Sequence, residues 1–435
     1  MKKNCAFTIC ATNYIGLAKV LEKSIYSYYE DVEFFVMVAD EPNASIAGCL
    51  DDNILIAKNA LKGIYSEEKW NEMAFKYDLT EFCTAIKPAS IKYLFERGYE
   101  KCIYFDPDIL AFSSIEAIYN KLEDYHAIVT PHITQIGSAE KGNIAEHQLL
   151  CSGVYNLGFL GIKNTEESKA FIDWWERKLE DKCFASIPEN LFTDQKWMDL
   201  MPCFFGNSLF VTQNMGMNMA PWNFHERKIL SEKKELFVVS RNEQSTIKDR
   251  LIFVHFSGYN YITLLEKGTQ INRNIKNMAA YGDLNVLFDV YRRNLEQGDF
   301  TRYADCSYTY NTFVDGSGIS KELRRLYRAL IETEEHRDDP FLVNSYIYKV
   351  AGKMKLLENE KVKSETPNMF GPQYEQRKKL RIVNILNTAF KILYFVVGPH
   401  RYASIFRIFR FYASWENHYF LIKSKKTHYK IRSLY

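Results

Sequence analysis

The order in which apolar runs and helical patterns follow one another constrains this chain most. Residues 5 to 11 form an apolar run, and Leu17, Leu21, Ile25 and Tyr28 then recur at helical spacing. A second run, Val32 to Val38, closes at Asp40-Glu41-Pro42, and a brief third follows at Asn53 to Ala57. This strand–helix–strand alternation predicts an α/β fold with a mostly parallel central sheet flanked by helices. The run Cys102 to Phe105 then leads directly into Asp106-Pro107-Asp108. A buried strand here delivers two carboxylates into the crevice at the carboxyl end of the sheet, where open sheets bind ligands. Neighbouring carboxylates repel, and a divalent cation that also holds phosphates suits them. Taken alone, Asp-Pro-Asp is more often an ordinary turn than a site.

Further along, Lys76 to Tyr99 reads as helical, Ala127 to Thr130 as a strand, and Gly153 to Ile162 as a glycine-punctuated strand. A helix over Glu166 to Glu180 precedes Phe192-Thr193-Asp194-Gln195-Lys196-Trp197, with Thr193 a candidate N-cap. The run Leu251 to Phe256 ends at Ser257-Gly258. Beyond about Thr263 helices rich in Arg and Tyr take over, among them Asn285 to Gln297 and Ser320 to His336. No G-x-G-x-x-G or Walker loop occurs, which argues against phosphate binding in the manner of a dehydrogenase or P-loop enzyme.

Length and charge divide the chain further. At 435 residues two or three domains are expected. From Arg377 onward there are 13 Lys and Arg against one acid, Glu416, a net +12, while the preceding residues carry 43 against 53, a net −10. An acidic body with a basic end points to an anionic surface. Nine scattered cysteines without a C-x-x-C pair indicate free thiols in a reducing compartment, and the N-terminus reads as a first strand, so a cytoplasmic location is expected.

Five stretches taken together, TICATNYIGLAKVLEKSI, TAIKPASIKYL, YFDPDIL, YNLGFLGIK with FTDQKWM, and VHFSG, occur in the order of a known group. The first 260 or so residues resemble a GT-A glycosyltransferase, a Rossmann-like fold. Within that group they are similar to the retaining, family eight-like enzymes that include glycogenin and the lipopolysaccharide galactosyl- and glucosyltransferases. The resemblance implies that Asp106, Asp108 and His255 hold Mn²⁺ (or Mg²⁺) against the diphosphate of a nucleotide sugar. Imidazole among oxygen ligands favours Mn²⁺ over Ca²⁺; a core histidine at a strand end is the bland alternative. Thr8, Ala11, Thr12, Asn13 and Tyr14 are implied to line base and ribose, with Gly258 in the same donor-binding set. Lys87 matches a basic residue near the diphosphate, and Lys92 competes for that role. Asn156 matches a sugar contact, and Asp194 with Gln195 matches the pair beneath the anomeric carbon. A carboxylate there assists either a covalent intermediate or front-face attack; alternatively Asp194 caps a helix. One departure stands out, because related enzymes carry a lysine three residues after the glycine of the His motif. This chain reads Gly258-Tyr259-Asn260-Tyr261. Trp222, Asn223 and Arg227 are substitutes by residue type, since Trp stacks on sugars and Arg forks onto phosphate.

The basic end reads as an amphipathic helix. Arg377, Arg381, Asn384, Asn387, Thr388 and Lys391 form a polar stripe opposite Ile382, Ile385, Leu386, Ala389, Phe390, Leu393 and Val397, up to Gly398-Pro399. A docked helical subdomain is the alternative. The expected organisation is thus a catalytic domain (1–265), a helical subdomain (266–360), a linker (361–376) and a membrane-associating tail (377–435). The expected function is a metal-dependent retaining glycosyltransferase moving a hexose, from UDP by preference, to a lipid-linked or surface-polysaccharide acceptor at the inner membrane face. Nucleic acid is not an expected partner. A sugar nucleotidyltransferase, or a catalytically silent carbohydrate-binding or assembly subunit, are the other readings.

Overall fold

A computed structural model describes residues 3–136, 144–242, 245–268, 272, 275, 278–333, 338–357 and 376–421. Of the expected linker only Gln376 falls among them, and the tail beyond Leu421 lies outside. The chain divides into two compact units. The first comprises 1–73 and 79–310, so the helices Asn285–Gln297 and Phe300–Ala304 belong to it. The second comprises 74–78 and 311–435.

The first unit is built on a seven-stranded sheet. Its strands are β1 (Asn4–Cys10), β2 (Glu33–Val38), β3 (Ile54–Ile56), β4 (Lys101–Phe105), β6 (Ala127–Pro131), β7 (Tyr155–Lys163) and β8 (Leu209–Val211). The spatial order is β8-β6-β7-β4-β1-β2-β3. Neighbours pair in parallel except β7, which runs antiparallel to both β4 and β6. A two-strand ribbon pairs β5 (Ile109–Ala111) with β9 (Phe253–His255) antiparallel. The fold class is therefore the expected one: an α/β fold, mostly parallel, flanked by helices, with further helices toward the C-terminus.

Alternation along the strands explains the burial. Ala6 and Cys10 of β1, Phe34, Val36 and Val38 of β2, and Ile103 and Phe105 of β4 share one core with Ile15, Ala18, Leu21 and Ile25 of the helix Ile15–Tyr26. Gly16 opens that helix because its neighbour is backbone: a Cβ there would meet Phe300 Cα at 2.5 Å. The helical stretch expected over Lys76 to Tyr99 is interrupted, giving Leu79–Ala85 and Lys87–Glu96. Pro88 lacks the N–H that would continue the first segment and suits the first turn of the second.

In the second unit, Phe75 is ringed by Phe313, Tyr327 and Phe341 at centroid distances of 4.7–5.7 Å. Arg324, on the helix Lys321–Thr333, is buried and donates to the carbonyls of Ala74, Phe75 and Tyr77 at 2.7–3.0 Å.

Candidate active site

Strand β4 ends at Phe105, and the chain turns through Asp106-Pro107-Asp108 into β5. The ribbon then brings His255 alongside, since it pairs with Ile109 and the Phe256 N–H donates to Asp108 O at 2.9 Å. His255 Nε2 lies 3.0 Å from Asp108 Oδ1 and 3.5 Å from Asp106 Oδ2. One ligand atom from each of the three residues falls within 4.8 Å of the others. Two tyrosine hydroxyls hold the carboxylates from behind: Tyr104 donates to Asp106 at 2.6 Å, and Tyr261 donates to Asp108 at 2.8 Å.

The opposite side of the imidazole is tightly constrained. Gly158, on β7, has no side chain because a Cβ there would lie 2.4 Å from His255 Cε1. Among the described residues His255 Nδ1 is buried without a hydrogen-bond partner, and the Trp222 ring meets the imidazole edge-on at 5.2 Å. Burial works against charge on His255, but Asp108 and then Asp106 overcome it and raise its pKa above the usual value. Burial likewise pushes Asp108 upward, yet the histidine and the tyrosine bond bring it below the usual carboxylate value. Asp106 ends raised, its burial outweighing the attraction of His255 and Lys87. The two carboxylates thus favour positive charge at the place where the imidazole meets them. Two oxygen donors and one nitrogen converging from fixed strand ends fit a divalent ion of the Mn²⁺ or Mg²⁺ kind.

Next to this cluster is a second charged group. Lys87 and Asp194 are 1% and 3% exposed, with Nζ 2.5 Å from Oδ2. The ammonium also donates to Leu157 O at 2.9 Å and lies 3.9 Å from the centre of the Tyr104 ring. Thr193 donates from its hydroxyl to the other Asp194 oxygen at 3.1 Å. Thr193 does not cap the helix as expected. It holds φ = 46°, a left-handed conformation rare for a β-branched residue. Asp194 occupies the N-cap position of the short 3-10 helix Gln195–Leu200 but makes no side-chain cap bond, so capping does not explain it.

Asn156 and Gln195 belong to one amide network. Gln195 Oε1 accepts from Leu157 N–H at 3.0 Å and Asn156 Nδ2 at 3.3 Å, and its Nε2 donates to Ser152 O at 2.9 Å. Asn156 Oδ1 accepts from Gly158 N–H and from Asn218 Nδ2. Asn218 was not singled out in the sequence; a buried asparagine at φ = 53° is visible only in three dimensions.

The β1 segment presents unsatisfied polar atoms. Among the described residues, Thr8 Oγ1 and Asn13 Oδ1 are buried without hydrogen-bond partners. Ala11 is extended and buried, and Thr12 is held by Asp40, which accepts its N–H at 2.8 Å and its hydroxyl at 2.7 Å. Tyr14 meets Tyr261 edge-on at 6.1 Å. Gly258 takes φ = 76° between β9 and the helix Tyr261–Lys267.

The candidates chosen by residue type fare differently. Arg227 is buried, its Nη1 donating to Met215 O and Met217 O and its Nε facing Glu226, so it is structural. Asn223 is fully buried and bonded to His132 O, Asn218 O and Ala220 N–H. Lys92 pairs instead with Glu176 and Asp173 on the helix Glu166–Lys182. At the position of the missing lysine stands Tyr261, whose hydroxyl braces Asp108.

No family model matches the chain. It is similar to the uncharacterized protein YfnF of Bacillus subtilis (strain 168), 25% identical over 265 residues that make up 60% of this chain and 82% of that one. It is also similar to YfnD of the same strain, 23% identical over 188 residues, 42% of this chain and 55% of the relative. Among solved structures, the galactosyltransferase LgtC in complex with donor and acceptor sugar analogues aligns at 16% identity and a TM-score of 0.36, covering 66% of this chain and 95% of that one. The glycosyltransferase GlyE of Streptococcus pneumoniae TIGR4 aligns at 10% identity and a TM-score of 0.35, covering 72% and 67%. Similarity at this distance specifies neither donor nor acceptor.

Proposed function

We propose that the chain is a metal-dependent, retaining glycosyltransferase. It would move a hexose from a nucleotide diphosphate sugar, UDP-hexose by preference, to a lipid-linked or surface-polysaccharide acceptor at the inner face of a membrane. The observation that carries the reading is the convergence of Asp106, Asp108 and His255 at the end of β4, beside the buried Lys87–Asp194 pair.

Asp106, Asp108 and His255 would hold the divalent ion. When bound, that ion supplies positive charge against the diphosphate as the glycosidic bond breaks. Thr8 and Asn13, with open buried acceptors, bind the nucleoside end. Lys87 is fixed by Asp194 and the Leu157 carbonyl, so its charge is preorganised beside the donor and needs no rearrangement. Asp194 is engaged on both oxygens, which supports electrostatic stabilisation of an oxocarbenium-like centre over attack as a nucleophile. Gln195 has its amide committed internally and acts by positioning Asn156 and the Leu157 backbone.

The test is release of UDP from UDP-hexoses in the presence of Mn²⁺. Asp106→Ala and Asp108→Ala are each expected to lower turnover by about 10²–10³-fold, roughly 3–4 kcal/mol in the barrier, with the circular-dichroism spectrum unchanged. Near-normal turnover in either variant would overturn the assignment.

A further inference from the structure

Near the end of its described course the second unit forms a helical hairpin. The helices Gln376–Val397 and Pro399–Tyr412 turn at Gly398, whose φ of 76° suits glycine. An aromatic seam holds the two together: Phe390 meets Phe406 at 4.9 Å, and Tyr394 meets Tyr402 at 5.4 Å. The seam leaves a second apolar face uncovered. Ile385, Ile392 and Val396, spaced seven and four apart and hence on one side of the first helix, are 69%, 60% and 76% exposed. Phe395, Ile408 and Phe409 are also exposed. Lys391, Arg401, Arg407 and Arg410 stand exposed among them.

The only acid after residue 376 is Glu416. It is buried, with Oε1 3.0 Å from Arg328 on the helix Lys321–Thr333. It therefore fixes the segment Trp415–Leu421 to the second unit and leaves the exposed surface of the hairpin without negative charge. Among the described residues no helix is long and apolar enough to cross a membrane.

We infer that residues 376–412 form a monotopic membrane anchor, a hairpin that lies in one anionic leaflet without crossing it. Ile385, Ile392 and Val396 enter the acyl boundary, and Lys391, Arg401, Arg407 and Arg410 meet the headgroups. This deepens the membrane location proposed above and rests on it for the side on which the acceptor is found. Charge decides between occupants. A second copy would set one strongly basic surface against another, which an apolar contact must then overcome, whereas an anionic leaflet satisfies both the charge and the exposed side chains.

The full-length protein is floated with phosphatidylglycerol–phosphatidylcholine vesicles and with phosphatidylcholine alone, at low and high salt. Wild type should float with the anionic vesicles at low salt, at least tenfold more than with neutral ones. The triple variant Ile385→Ser/Ile392→Ser/Val396→Ser should lose at least tenfold of that partitioning, as should the quadruple change of Lys391, Arg401, Arg407 and Arg410 to Ser. Both sets are surface changes, and unchanged melting temperatures confirm intact folding. Equal flotation of the apolar triple and wild type overturns the inference. So does failure of wild type to float, or a concentration-dependent dimer that the triple abolishes. Release of UDP without vesicles is measured in parallel and should not change, so loss of the anchor is distinguished from failure of the transferase reading.

Discussion

Replacing Lys87 with methionine keeps the length of the side chain and removes the ammonium from beside a carboxylate that has almost no access to water. Asp194 would then retain only the Thr193 hydroxyl, and Leu157 O would lose a bond of 2.9 Å. Breaking a buried pair by removing one partner costs about 3–5 kcal/mol, because the remaining charge is uncompensated. At roughly 2 °C per kcal/mol for a unit of this size, the melting temperature should fall by about 6–10 °C. Asp194→Leu should be similarly damaging by stranding the ammonium. The double variant Lys87→Met/Asp194→Leu removes both charges together and should recover most of the loss, since apolar replacement of a buried pair is often neutral or stabilising. Urea denaturation of the four proteins closes a double-mutant cycle, with an expected coupling of about 3 kcal/mol or more. Transfer should remain absent in all three variants, which separates the stability role from the chemical one. Costs below about 1 kcal/mol for Lys87→Met, or additive effects in the double variant, would refute the reasoning.

Two other perturbations address the surroundings of the imidazole. Gly158→Ala would drive a methyl group into His255, so Mn²⁺ affinity measured calorimetrically should drop at least tenfold with only about 1–3 kcal/mol lost in stability; unaltered affinity would remove His255 from the ligand set. His132 is buried against Trp222 with its pKa pushed down to about 4, chiefly by burial. Between its ordinary value near 6.5 and 4 the unfolded chain binds more protons, so stability is intact above that window and falls as pH falls through it. The loss from pH 7.5 to 5 should be about 2 kcal/mol, and His132→Phe should flatten the urea midpoint over that range.

What the sequence revealed depended on whether a residue's neighbours were also its chain neighbours. Strand ends were readable because apolar runs and polar turns sit side by side in the chain, and the juxtaposition of Asp106, Asp108 and His255 follows from two such ends. Lys87 and Lys92 are indistinguishable by type, and only burial separates the enclosed pair of Lys87 from the surface pair of Lys92. Arg227 misled for the same reason: a guanidinium suited to phosphate is here enclosed by carbonyls. The contact between Tyr261 and Asp108 spans 153 residues, and no local pattern announces it. Thr193 looked like a cap because its composition fits one, while its backbone takes a conformation that composition disfavours.

The reversed direction of β7 has a consequence for how the chain could be rebuilt. The parallel strands β1 and β4 address the crevice with their last residues, but β7 addresses it with its first, Tyr155 to Gly158. Its far end, Lys163, pairs with Lys101 at the opposite end of the strands. Grafts made before β7 would thus act on chemistry, and grafts made after it on scaffold. For β1 and β4 the rule inverts, so a designer must know strand polarity before choosing where to cut.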